Sequence, residues 1–190
     1  MRHDPCGSVW RRWDLHFHTP ASTDYGFRAA SAKDLVEELI KAGVKVVAVT
    51  DHHVIDVERV RQMQEIAGKA LTIFPGIECR SELGGKESVH FTGIFPEDCD
   101  LEDVWVKLRG VGITERDVAD KGDDAMYVRF VDGCNKIREL GGVVAVHAGR
   151  KSNSIEILPA NTCICSRSET SETGKATRQR SSHTSARNYL

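Results

Sequence analysis

Short, almost unbroken apolar runs recur along the chain, and between them lie stretches whose apolar positions follow a helical period. Trp13 to His18, Val44 to Thr50, Leu71 to Cys79, Ser88 to Phe95 and Val143 to Val146 read as strands, with the Val/Ile/Phe content of buried ones. From Ser31 to Gly43 the period changes. Leu35, Leu39 and Ala42 share one stripe with Val36 and Ile40 beside it, Ser31 is an N-cap with Asp34 at the third helical position, and Gly43 stops the helix. A second helix is expected from Val57 to Ala70, with Val60, Met63, Ile66 and Ala67 at helical spacing. Pro96, Glu97 and Asp98 suggest the opening of a third through Leu108, and a fourth runs from Tyr127 to Leu140, ended by Gly141 and Gly142. Strands alternating with crossover helices predict an α/β fold with a mostly parallel sheet, open or closed into a barrel.

Two stretches fall outside this alternation. Residues Gly110 to Asp124 are glycine-rich and charged, a loop or lid by composition. Beyond Ile157, Ser, Thr and Arg dominate and no apolar period survives, so residues 157–190 are expected to be disordered. The break follows a helix-like Ser152-Asn153-Ser154-Ile155-Glu156 abruptly and has the look of a reading-frame change. The division is therefore a domain over 1–156 and a tail over 157–190.

Composition narrows the class without naming a function. A chain of 190 residues allows one domain with a sizeable core, and a net charge of −2 gives no basic surplus of the kind that marks nucleic-acid binding over a whole surface. The apolar stretches are too short to span a bilayer and the start lacks a secretory h-region, so no membrane partner is expected and a cytoplasmic address follows by default. The six cysteines have no C-x-x-C pairing and read as free thiols.

The candidate chemistry lies where histidines and carboxylates meet the strand-like runs. His16 and His18 point to one side of the first strand, about 7 Å apart along it, and can chelate one ion, or they are two polar residues on a solvated face. Asp51 and His52 close the second run, Glu78 lies in the third, His90 in the fourth and His147 at the end of the fifth, with Asp24 in the loop after the first. Singly, each reads as well as a turn residue, an edge carboxylate or a core histidine. Gathered at one end of a parallel sheet, they make a metal centre.

Asp14-Leu15-His16-Phe17-His18-Thr19, Thr50-Asp51-His52, Pro75-Gly76-Ile77-Glu78 and Ala145-Val146-His147-Ala148-Gly149 resemble, in order and spacing, the motifs of the PHP (polymerase and histidinol phosphatase) family, from Trp10 to about Glu156. More narrowly, Gly7 to Trp13 and His147 to Asn153 resemble the front domain of TrlF-type AAA-like ATPases, which implies an ATPase domain as partner. The resemblance implies a distorted (β/α)7 barrel, here incomplete at its C-terminal end, holding two or three divalent metals, zinc, manganese or iron, and a phosphoesterase activity on a phosphate mono- or diester, nucleic acid or nucleotides among them. It makes His16 and His18 ligands of a first metal and Glu78 the bridge to a second that His90 and His147 complete. His52, with Asp24, would hold a third. Glu78, Asp51 as an orienting group and Arg150 would serve catalysis, and Arg80, Arg150 and Lys151 are candidates for phosphate oxygens.

One departure from the family pattern carries weight. The family usually supplies a D-x-H pair near the barrel's end, whereas the one histidine after His147 here is His183, in Ser181-Ser182-His183-Thr184. Without the closing aspartate and histidine, weak hydrolysis is expected. The alternative is a metal-binding but inactive module that regulates an associated ATPase.

Overall fold

A computed structural model describes residues 10–22, 25–81, 89–112 and 127–146. Asp24, His147, Arg150, Lys151, most of the 110–124 loop and the 157–190 tail lie outside the described residues.

The apolar runs form five strands, β1 (Arg12–Phe17), β2 (Val44–Val49), β3 (Thr72–Ser81), β4 (Val89–Ile94) and β5 (Val143–Val146), in one sheet of order β1-β2-β3-β4-β5. The first three are parallel neighbours, linked by α1 (Ala32–Lys41) and α2 (Val57–Ala67) as right-sized crossovers. β4 then pairs antiparallel with both β3 and β5. Only residues 82–88 separate β3 from β4, too few for a crossover helix, so the chain must double back. The expected mostly parallel sheet is thus corrected to a mixed one. Four strands share a direction and β4 opposes them, with α3 (Leu101–Arg109) and α4 (Phe130–Glu139) carrying the chain on to β5.

α1 begins as its sequence requires. Ser31 Oγ accepts from the Asp34 N–H while the Asp34 carboxylate accepts from the Ser31 N–H, a capping box, and Gly43 leaves the helix at φ 76°. Leu35, Val36 and Leu39 of α1 and Val60, Met63 and Ala67 of α2 are buried with Val47, Val49 and Ile73 of the sheet. Each large side chain so buried contributes about 1.5–3 kcal/mol. Ile66 lies outside that stripe, 45% exposed, because α2 presents only its i, i+3, i+7 face to the core. α3 starts later than Pro96: Cys99 N–H bonds to Pro96 O in a turn, and Asp100 caps the helix by accepting from Asp103 N–H. α4 likewise begins at Phe130, not Tyr127.

One glycine is needed where the sheet changes hands. β3 pairs with β2 up to Pro75 and with β4 from Gly76, and a Cβ on Gly76 would meet Gly93 O at 2.7 Å and Val49 O at 2.9 Å, both backbone atoms. This close approach sets the position of Glu78, two residues on.

Candidate metal centre

Alternation along the strands decides which side chains meet. On β1, Phe17 packs against the core while His16 and His18 take the other face. The register with β2 is irregular between Asp14 and Phe17, and this local bend brings two imidazoles from one strand to a single point. Beyond β2, His52 forms a parallel bridge with Glu78, after which His53, at φ 55°, turns the chain away while its N–H bonds to Glu78 O. On β3, Ile77 and Cys79 face the core and Glu78 the opposite side; on β4, Phe91 packs edge-on against Phe130 and leaves His90 on the Glu78 side. β4 enters the site at its beginning rather than its end, a consequence of its reversed direction.

Glu78 is the hub. Its Oε2 lies 2.7 Å from His16 Nε2, 3.0 Å from His18 Nε2 and 3.1 Å from His52 Nε2, and its Oε1 lies 2.7 Å from His90 Nδ1. His16 and His18 Nε2 are themselves 2.9 Å apart. Burial alone would push the Glu78 carboxyl up, but the four imidazoles outweigh it and hold the group far below the usual carboxylate range. It is therefore a buried anion kept charged by its neighbours.

Neutral imidazoles satisfy this arrangement incompletely. Three nitrogens crowd Oε2 while His16 and His18 Nε2 also meet each other, and with one proton on each ring not every one of these contacts is a hydrogen bond. A cation would turn the others from unfavourable to favourable. Around a tetrahedral zinc with nitrogen and oxygen ligands the donor atoms stand roughly 3.3 Å apart, a few tenths of an ångström more than here. His16, His18 and Glu78 form one group within ligand reach, and His52, Glu78 and His90 a second. The donor set, imidazole and carboxylate without thiolate, fits zinc, manganese or iron(II).

Asp51 does different work. It is buried, and its oxygens accept from Thr19 N–H at 2.6 Å, Thr19 Oγ1 at 2.8 Å and Ser22 Oγ at 2.8 Å. With those partners it pins the loop after β1 to the end of β2.

A family profile for the PHP domain matches residues 14–149. The chain belongs to the PHP domain family. Among solved structures, a Bifidobacterium adolescentis protein provisionally described as a metal-dependent phosphoesterase is similar at 20% identity and a TM-score of 0.48, over 73% of this chain and 68% of that one. No curated protein matches.

Within this PHP domain, the structure brings together five of the residues singled out in the sequence: His16, His18, His52, Glu78 and His90. His52 Nε2 sits against Glu78 Oε2, in one group with His90. Asp24, His147 and Arg150 lie outside the described residues; the β4–β5 register ends at Phe91↔Val146, one residue short of His147. Arg80 is in register with His90, two residues along β3 from Glu78 and so on the same side of the strand. The residues missed were Thr19 and Ser22. Both are hydroxyls directly after the H-x-H pair, in a loop that reads as turn-forming, and the available signal was Asp51: a carboxylate at a buried strand end needs donors, and this loop is where they can come from.

Other features lie apart from the PHP centre. A groove of about 1000 Å³, lined by apolar side chains such as Phe17, Phe27 and Leu35 together with Arg12, Arg28 and Asp34, contains none of the imidazoles. Cys79, Cys99 and Cys134 are free thiols, and burial pushes Cys134 up to about 11. No helix among the described residues is long and apolar enough to cross a membrane.

Proposed function

We propose that this PHP domain is a metal-dependent phosphoesterase that hydrolyses a phosphate mono- or diester, with nucleic acid or a nucleotide as the substrate class. The observation that carries the reading is the convergence of four imidazoles on one buried carboxylate. His16 and His18 with Glu78 would hold one divalent ion, and His52 and His90 with Glu78 a neighbouring one, zinc, manganese or iron. Bound there, such ions activate water and neutralise charge on phosphoryl oxygens. The chain's own contribution is positional. Glu78 turns Oε2 to His16, His18 and His52 and Oε1 to His90, so its single charge serves both groups, and its burial keeps water from competing for it. Asp51 fixes the loop that carries His18, and Arg80, with Arg150 by sequence, supplies fixed positive charge for the ester's oxygens.

A second reading rests on the same geometry, because side chains that hold a metal need not turn a substrate over. In that reading the domain binds metal without turnover and regulates an AAA-like ATPase. Turnover of bis(p-nitrophenyl) phosphate by the manganese- or zinc-loaded chain separates the two. Hydrolysis abolished by Glu78→Gln supports the phosphoesterase, and a chain that holds metal but turns nothing over favours the regulatory module.

A further inference from the structure

Ser22 is fully buried in the loop after β1, and its hydroxyl makes three hydrogen bonds. Its oxygen lies 2.8 Å from Asp51 Oδ1, 3.1 Å from His18 Nδ1 and 3.1 Å from the backbone nitrogen of His52. A serine hydroxyl has one proton and two lone pairs, so each of its three contacts takes a definite one of them. The His52 N–H can only donate and occupies the first lone pair. Asp51 Oδ1, a carboxylate oxygen that also accepts from the Thr19 N–H, takes the proton. The remaining lone pair faces His18, whose Nδ1 must therefore carry a proton. In the opposite arrangement, with Ser22 donating to His18, two oxygen lone pairs would face each other at 2.8 Å, whereas the lone pair that the assigned tautomer turns to Glu78 Oε2 at 3.0 Å is at the centre where a metal ion would come between them. A neutral imidazole protonated at Nδ1 has its lone pair on Nε2. That atom is the one 3.0 Å from Glu78 Oε2.

We propose that Ser22, backed by Asp51, is a positioning residue that holds His18 as its Nδ1–H tautomer and so delivers the Nε2 lone pair to the metal centre. The proposal rests on the metal-centre reading and deepens it. The same hydroxyl grips the backbone of His52, so one side chain sets a ligand from β1 against a ligand from the end of β2 before any ion arrives. Outer partners of this kind fix ring orientation and tautomer in metal sites, and removing one lowers metal affinity by about 10- to 100-fold.

The test is a long-range proton–nitrogen correlation spectrum of the metal-free full chain, paired with zinc titration calorimetry. His18 in the wild-type chain is expected to show a protonated Nδ1 and an unprotonated Nε2. Ser22→Ala is expected to lose that single-tautomer signature and to bind zinc about 10- to 100-fold more weakly. A wild-type His18 protonated at Nε2 would overturn the proposal whatever the variant does. So would a folded Ser22→Ala chain with an unchanged His18 spectrum and unchanged zinc affinity. Failure of the wild-type chain to take up zinc would instead refute the metal-centre reading, and the tautomer, read on metal-free protein, would still decide for or against the Ser22 relay.

Discussion

Replacing Asp51 by alanine should unfasten the loop that carries His18, and the cost can be worked out from its partners. The carboxylate is 1% exposed and accepts three hydrogen bonds, from Thr19 N–H, Thr19 Oγ1 and Ser22 Oγ, and both donor residues are fully buried. Alanine leaves all three donors without their acceptor. The two hydroxyls can rotate to other oxygens, but the Thr19 N–H cannot, and a buried orphan of that kind costs about 1–3 kcal/mol. Adding about 1 kcal/mol for each hydroxyl that loses a charged acceptor gives a total of about 3–5 kcal/mol. Set against the 5–15 kcal/mol typical of a whole domain, that is a large share. Asp51→Asn keeps an oxygen for Thr19 N–H and Ser22 and should cost less, about 1–2 kcal/mol. Urea unfolding of the chelator-treated chain measures both, since metal would add its own binding energy to the folded state. If alanine costs under about 1 kcal/mol with an unchanged m-value, Asp51 does not hold the loop and the positional role assigned to it is wrong.

Three further outcomes follow from the same geometry. Gly76→Ala drives a Cβ to 2.7 Å from Gly93 O and 2.9 Å from Val49 O, so it should destabilise by about 1–3 kcal/mol or more and lower metal affinity by displacing Glu78; a variant as stable as wild type in thermal unfolding would show that β2 and β4 can part at no cost. Because Glu78 is held below its unfolded value of about 4.3, the unfolded state binds the proton that the folded state refuses, and the metal-free chain should lose stability as pH falls below that value, by up to about 1.4 kcal/mol per pH unit. Glu78→Gln should remove that part of the acid dependence, and equal slopes for the two chains would count against the charged carboxylate. His16→Ala should reduce bound metal while His183→Ala, far along the sequence from every motif, leaves it unchanged, as elemental analysis would report.

Where the sequence was legible, local chemistry was strong. The Ser31 and Asp34 capping box announced the start of α1, and the runs at β2 and β5 matched the observed strands to within a residue, because a buried strand has few alternatives. The H-x-H spacing and the Pro75-Gly76-Ile77-Glu78 motif likewise pointed to side chains that the fold brings together. Pairing direction was harder. The reversal at β4 depends on the length of the 82–88 connection, and a run of apolar residues carries no arrow. The place of His52 beside Glu78 was illegible because it depends on where Glu78 puts its two oxygens, a three-dimensional matter. Ser22 stayed hidden for a related reason: a serine in a turn-rich loop has an ordinary local role, and only the long-range contact with Asp51 gives it another.

The central claim is that Glu78 and the imidazoles of His16, His18, His52 and His90 hold divalent metal. Metal content per chain, measured by plasma mass spectrometry after zinc or manganese loading and exhaustive dialysis, tests it most directly, with the wild-type chain and Glu78→Gln carried side by side. The account predicts at least one ion retained per wild-type chain and a large loss in Glu78→Gln, whose amide keeps the shape but not the charge shared by both groups. A wild-type chain that retains no metal, or a folded Glu78→Gln chain that retains as much as wild type, would contradict it.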